Sequence, residues 1–64
     1  MKFTISIELG NAAFEGEDCG RELARILRKQ ADKLEGFASW DFPDQGGLWD
    51  VNGNKVGAWE VSEG

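Results

Sequence analysis

Residues 48–61 constrain the fold more than any other part of the chain, because they have the pattern of a β-hairpin. Asn52 and Gly53 stand at the centre, and these two residue types readily adopt the positive φ that both positions of a two-residue hairpin turn require. A turn there places Asp50 opposite Lys55 and Trp49 opposite Val56, so that a charge pair and an apolar pair set the register. The pattern predicts strands near residues 47–51 and 55–61.

The beginning of the chain has an equally regular pattern. Apolar and polar residues alternate from Lys2 to Leu9, which predicts a first strand over residues 2–9 with one buried face. Gly10 and Asn11 interrupt the alternation. In the connection that follows, we expect Phe14 to contact the core.

A helix is predicted over residues 18–35. Apolar residues recur there at three- and four-residue spacing, and Gly36 is placed to end the helix. Glu17 and Asp18 complement the positive end of the helix dipole. The residues expected on the buried face are Cys19, Leu23, Ile26, Leu27, Ala31 and Leu34.

The segment after the helix combines aromatic residues with a turn. Phe37, Trp40 and Phe42 favour a short strand near residues 37–42, and a turn follows at residues 43–46. The predicted order is therefore β-α-β-β-β within a single domain, residues 1–64. Such a chain is typical of an α+β fold in which one helix lies across one face of a small antiparallel sheet.

The residue types exclude most familiar chemistry. The chain has no histidine and one cysteine, which argues against catalytic triads, zinc sites and an internal disulfide. Cys19 is interpreted as a small packed helix residue. The alternating oxygen donors Asp50, Asn52 and Asn54 resemble a calcium loop only faintly and are interpreted as turn residues. We expect no enzyme activity, cofactor or metal, and a cytoplasmic location without a leader or a membrane span.

The net charge of −5 is unevenly distributed. Residues 20–34 contain five basic and two acidic side chains, a balance of +3, whereas the rest of the chain has two basic and ten acidic side chains, a balance of −8. The basic side of the helix could contact nucleic acid, and the acidic remainder could contact a basic groove. For each of the two charged surfaces, the alternative interpretation is that it contacts only water and binds no partner.

Three tryptophans and four phenylalanines are many for 64 residues. By strand parity, Trp49, Val51, Val56 and Ala58 share one face of the predicted hairpin, and Leu48, Trp59 and Val61 share the other. One helix cannot cover both faces. A tryptophan is then left exposed for a partner, a second copy covers the other face, or residues 37–46 fold over it.

Three stretches of the chain resemble a class of known proteins. They are residues 2–11, the helix end at residues 34–36, and residues 50–59, which read DVNGNKVGAW. Together they resemble the short proteins that bacteriophages and prophages encode. Phage proteins of this size and acidity are also similar to anti-CRISPR proteins, which block host CRISPR–Cas complexes by binding them. The resemblance implies an inhibitor and carries no catalytic residue.

Two functional hypotheses follow. The first is a non-enzymatic phage-type inhibitor that binds a host nucleic-acid-handling complex, such as a CRISPR–Cas effector, through acidic and aromatic residues: Asp41, Asp44, Trp49, Asp50, Trp59 and Glu60. The second is an accessory phage domain that forms a homo-oligomer, such as a homodimer, or that binds nucleic acid through the basic helix face: Arg21, Arg25 and Arg28.

Overall fold

The computed structural model describes residues 1–63 and shows an α+β domain. Its elements are β1 (Lys2–Ile7), a single 3-10 turn (Ala12–Phe14), α1 (Asp18–Leu34), β2 (Gln45–Trp49) and β3 (Lys55–Ser62). The three strands form an antiparallel sheet in the order β1-β3-β2, and α1 contacts β2. The fold class is confirmed, but the observed order is β-α-β-β.

Helix α1 has nearly the predicted limits, and its buried stripe is rotated from the predicted face. Ile26 is buried between Glu22 and Gln30, which are also buried, whereas Leu27 and Ala31 are exposed. Two polar side chains therefore lie on the inner side of the helix, where the sequence pattern places apolar ones. Phe14 is buried against this side, as expected.

The predicted strand at residues 37–42 is wrong. The backbone there continues from the helix into turns, in which the N–H of Phe37 donates to the Leu34 carbonyl and the N–H of Asp41 donates to the Ala38 carbonyl. Two of the aromatic residues that suggested a strand, Phe37 and Phe42, instead pack on each other with their ring centroids 6.0 Å apart, whereas Trp40 is exposed. Residues 35–44, which connect α1 to β2, are called the Trp40 loop below.

The closing hairpin is present, but its predicted two-residue turn and register are wrong. Trp49 is opposite Lys55, and the connection is the hairpin loop, residues 50–54. Gly53 has a φ of +83°, and its N–H donates to the Asp50 carbonyl. This is the arrangement of a three-residue loop with a left-handed glycine, which needs positive φ at one position only. Asn52 accordingly has a negative φ, and the predicted Asp50–Lys55 pair does not form.

The predicted division of the hairpin faces, with Trp49 and Val56 on the same face, is wrong because β3 contains a bulge. Leu48 is opposite Gly57 and Trp49 is opposite Lys55, so Val56 is an extra residue between the two pairs. The bulge turns Val56 to the core, where it is buried beside Leu48 rather than beside Trp49.

The core centres on Trp59, which is 6% exposed. Its ring stacks on Phe3, with centroids 5.4 Å apart, and meets Phe42 edge-on at 6.1 Å. Gly46 is directly opposite Trp59 on β2, and a Cβ there would lie 2.5 Å from the indole. The sheet thus accommodates this tryptophan because its cross-strand neighbour lacks a side chain.

Candidate functional site

The Trp40 loop presents the most exposed aromatic side chain in the described chain. Trp40 is 88% exposed and lies within a turn that Asp41 closes. The Asp41 carboxylate accepts a 2.8 Å hydrogen bond from the N–H of Ala38, and the Asp41 N–H donates to the Ala38 carbonyl. These reciprocal bonds hold the turn, so the indole is displayed from an ordered backbone.

An apolar groove lies beside this turn, between the loop and the end of the sheet. Its apolar lining comes from Met1, Phe3, Phe42 and Val61. The N–H of Val61 donates to the Asp44 carbonyl at 2.8 Å, which fixes the loop to β3. Carboxylates stand around the groove, with Asp44 and Glu63 in its lining and Asp41 in the adjacent turn.

The hairpin loop also contains a carboxylate, that of Asp50, but this side chain is buried. Asp50 is 5% exposed, and its two oxygens accept hydrogen bonds from the backbone N–H groups of Asn52 and Asn54 and from the side-chain amides of Asn11 and Asn54. The Asn11 bond spans 39 positions in sequence and joins the loop after β1 to the hairpin. Asp50 therefore organises the fold.

Glu22 joins the hairpin loop to the helix. Its carboxylate accepts a 2.7 Å bond from the N–H of Val51 and two bonds from the guanidinium of Arg25, at 2.6 and 3.1 Å. The two-pronged contact has the geometry that makes arginine–carboxylate pairs strong. Arg25 is thus engaged with its own chain.

Hydrogen bonding sets the protonation of both buried carboxyl groups. The bond from Arg25 is the main cause that lowers the pKa of Glu22 below its ordinary value. Burial by itself would raise the pKa of Asp50, but the donors from Asn54, Asn11 and Asn52 together outweigh it and lower that pKa. Both groups are held as carboxylates at neutral pH.

The structure separates the six residues predicted for partner binding. Asp50 and Trp59 are buried within the fold, which is the physical reason to remove them from a binding surface. Asp41, Asp44 and Glu60 are exposed, and the first two belong to the Trp40 loop. Trp49 is 50% exposed and lies on the outer face of the sheet, away from that loop.

The three arginines of the alternative basic site, Arg21, Arg25 and Arg28, also differ in exposure. Arg25 is half-buried against Glu22, whereas Arg28 is exposed and Arg21 makes a 3.4 Å contact with Asp18 at the surface. Such exposed pairs contribute little to stability and leave the guanidinium accessible.

Sequence reasoning missed Trp40 as a site residue and Glu22 as a buried one. A signal existed for each. Trp40 lies between Gly36 and Pro43, where turn residues end regular structure, and Glu22 and Arg25 have the three-residue spacing that pairs charges on a helix.

Within residues 1–63, no group of three or more metal-ligating side chains converges, and no helix has the length and apolar character needed to cross a membrane. Cys19 is half-buried. Comparison with protein families, curated proteins and solved structures finds no match for this chain.

Proposed function

We propose that this protein is a non-enzymatic binding protein that attaches to a partner protein through the Trp40 loop. The observation that carries the proposal is the 88% exposure of Trp40 on a turn closed by hydrogen bonds. Tryptophan is among the residues that contribute most to binding when a partner buries them. A fixed backbone also lowers the entropy cost of placing the side chain in a pocket.

The charges around the loop define the kind of partner. Asp44 and Glu63 line the apolar groove, Asp41 lies in the adjacent turn, and all three are exposed. A partner that fits has an apolar pocket with lysine or arginine at its edge, because complementary charge directs the encounter and fixes the orientation. Proteins that handle nucleic acid present such basic surfaces.

The resemblance to short phage proteins narrows the proposal to an inhibitor. In this role the chain acts in the host cytoplasm and occupies a basic surface of a nucleic-acid-handling defence complex, such as a CRISPR–Cas effector. The exposed carboxylates of the Trp40 loop are then placed where nucleic acid phosphates would otherwise lie.

Affinity capture from a lysate of a CRISPR-bearing host tests the proposal. The tagged wild-type protein should retain a nucleic-acid-handling complex, and the charge-reversal variant D44K/E63K should retain much less of it. Asp41 is left intact because its carboxylate holds the turn. Binding of the wild-type protein should also weaken as salt is added.

The matched control is E15K/D32K, which makes the same change in net charge at two exposed residues outside the loop and its groove. It should retain the complex as the wild-type protein does. Equal losses in both variants would show that total charge, and not the Trp40 loop, determines binding.

The rival function is nucleic acid binding by the basic side of α1. Arg21, Arg28, Lys29 and Lys33 are exposed and available for phosphate contacts. A gel-shift assay with plain duplex DNA separates the two proposals. Tight, salt-sensitive binding that R28E/K29E abolishes would favour the rival, since phosphate contacts dominate such affinity.

A further inference from the structure

The sheet has an outer face that no other element of residues 1–63 covers. Strand registers arrange this face in three rows across β1, β3 and β2. The first row is Thr4, Glu60 and Gln45; the middle row is Ser6, Ala58 and Gly47; the third row is Glu8, Lys55 and Trp49.

These nine residues form one continuous shallow surface. Three depressions lie on it, and Ala58 lines all of them. The depressions also place Glu8 and Lys55 beside Ser6, and Thr4 and Glu60 beside Gln45. The middle row is therefore a low strip between two rows of longer side chains.

The six-membered ring of Trp49 lies over this low strip. A Cβ on Gly47 would lie 2.6 Å from the Trp49 ring, so the six-membered ring covers the glycine. The indole is nevertheless 50% exposed, because its outer surface has no cover in the described chain. The tryptophan thus leans from the third row toward the middle row.

The charges of the outer face balance one another, in contrast to the rest of the protein. Lys2 extends the alternation of Thr4 and Ser6 and, with Lys55, offsets Glu8 and Glu60, although the whole chain carries −5. Two copies of an acidic protein repel each other least where the local charge is neutral. Neither Lys55 nor Glu60 has an ion-pair partner within residues 1–63.

We propose that this face binds a second copy of the chain, through a two-fold axis that runs across the strands above the middle row. This axis places the first row of each copy over the third row of the other. Glu60 then meets Lys55 of the second copy, and the Thr4 hydroxyl can donate a hydrogen bond to the Glu8 carboxylate of that copy. Each pairing occurs twice, as two-fold symmetry requires.

The same axis brings the two tryptophans together. Because each Trp49 leans over Gly47 in the middle row, the two indoles meet above the paired glycines and can stack with an offset. Ala58 faces Ala58 of the second copy, and these small side chains leave room for the two indoles beside them. The patch is smaller than the 20 to 30 residues a side of a standard interface, so the dimer is weak and concentration-dependent.

Sedimentation of charge variants tests this arrangement. Wild-type protein should shift from monomer to dimer between about 10 µM and about 1 mM, the range that matches a small interface. E60K alone and K55E alone should each associate much less over that range, because each sets like charges opposite each other at two symmetric places. Association of either variant should be weaker by about tenfold or more.

An equimolar mixture of E60K and K55E provides the decisive measurement, because it tests whether opposite charges restore association. In a mixed dimer both pairings again join opposite charges, so the mixture should associate as the wild-type protein does. This recovery also shows that both variants are folded. A wild-type protein that stays monomeric to about 1 mM, single variants that associate normally, or a mixture that fails to associate would each overturn the proposed dimer.

The dimer face and the Trp40 loop are distinct surfaces, so their tests are independent. Neither Glu60 nor Lys55 lines the groove beside the loop. The dimer can therefore fail while partner capture by the Trp40 loop succeeds, and the reverse outcome is equally possible.

Discussion

Each of the two loops at opposite ends of β2 has an aspartate that directly follows a tryptophan in the sequence, and the two aspartates have different roles. In the hairpin loop, Asp50 is buried and accepts hydrogen bonds from three asparagines of its own chain. In the Trp40 loop, Asp41 makes one local bond to a backbone N–H, and both it and Trp40 remain exposed. An acidic residue next to a tryptophan is therefore available to a partner only where the fold does not use its carboxylate.

The largest difference in stability should appear between variants of the buried Trp59 and of the exposed Trp40. Trp59→Ala removes the ring that contacts Phe3 and Phe42 and should lower the free energy of unfolding by about 3–5 kcal/mol. Trp40→Ala should change it by no more than about 0.5 kcal/mol, because the side chain has little to lose. Urea unfolding of both variants measures the difference, and similar losses would contradict the division of roles.

Aspartates from the two loops should give the next largest contrast. Asp50→Ala leaves several donors near the hairpin loop without their acceptor and should lower the melting temperature by roughly 10 °C or more. Asp44→Ala removes an exposed side chain and should shift the melting temperature by about 2 °C or less. Thermal unfolding followed by circular dichroism measures both variants, and equal shifts would disprove the structural role of Asp50.

The pKa values of Asp50 and Glu22 predict loss of stability in acid. Both pKa values are lower in the folded protein than in the unfolded chain, so the unfolded chain binds protons first as the pH falls. The stabilisation is complete well above the ordinary values of 3.8 and 4.5 and is lost as the pH falls through the folded values. Unfolding of the wild-type protein and of E22Q between pH 7 and pH 2.5 should show a weaker acid dependence in the variant. If stability falls with pH in E22Q as it does in the wild-type protein, Glu22 does not contribute to the loss of stability in acid.

The smallest effect should come from Asp41. Asp41→Ala removes the bond to the Ala38 N–H and should lower stability by about 0.5–1 kcal/mol, as loss of a local cap does. Fluorescence anisotropy of Trp40, measured in a W49F/W59F background that is first shown to fold, should decrease because the turn no longer holds the indole. Unchanged anisotropy would mean that Asp41 does not order the loop.

The sequence predicted the elements whose residue periodicity was long enough to be distinctive. The alternation from Lys2 and the three-four spacing of α1 gave β1 and the helix nearly to their limits. The segment at residues 37–42 was mistaken for a strand because aromatic residues fit a pleated surface only when a neighbouring strand offers one. Phe42 packs on the core and Phe37 packs on Phe42 without any strand pairing, and Trp40 points to solvent.

The hairpin shows why the site was harder to predict than the fold. Asn52 and Gly53 correctly indicated a turn, but the Asp50 side chain competes for its backbone donors and produces a longer loop. The bulge at Val56 then reverses the parity of one residue, which no alternation rule anticipates. Parity placed Trp49 and Trp59 on opposite faces but could not tell which ring is buried, since Gly46 on another strand provides the space for Trp59.

Binding by the Trp40 loop is tested most directly by partner capture with variants that each remove one exposed apolar side chain, one variant for each loop. Trp40→Ala and Val51→Ala are a matched pair, since Val51 is 66% exposed in the hairpin loop. If the Trp40 loop binds the partner, W40A should weaken the affinity for the captured complex by about 30-fold or more, and V51A should leave it unchanged. Equal retention of the complex by W40A and the wild-type protein would contradict the assignment of the Trp40 loop as the binding surface.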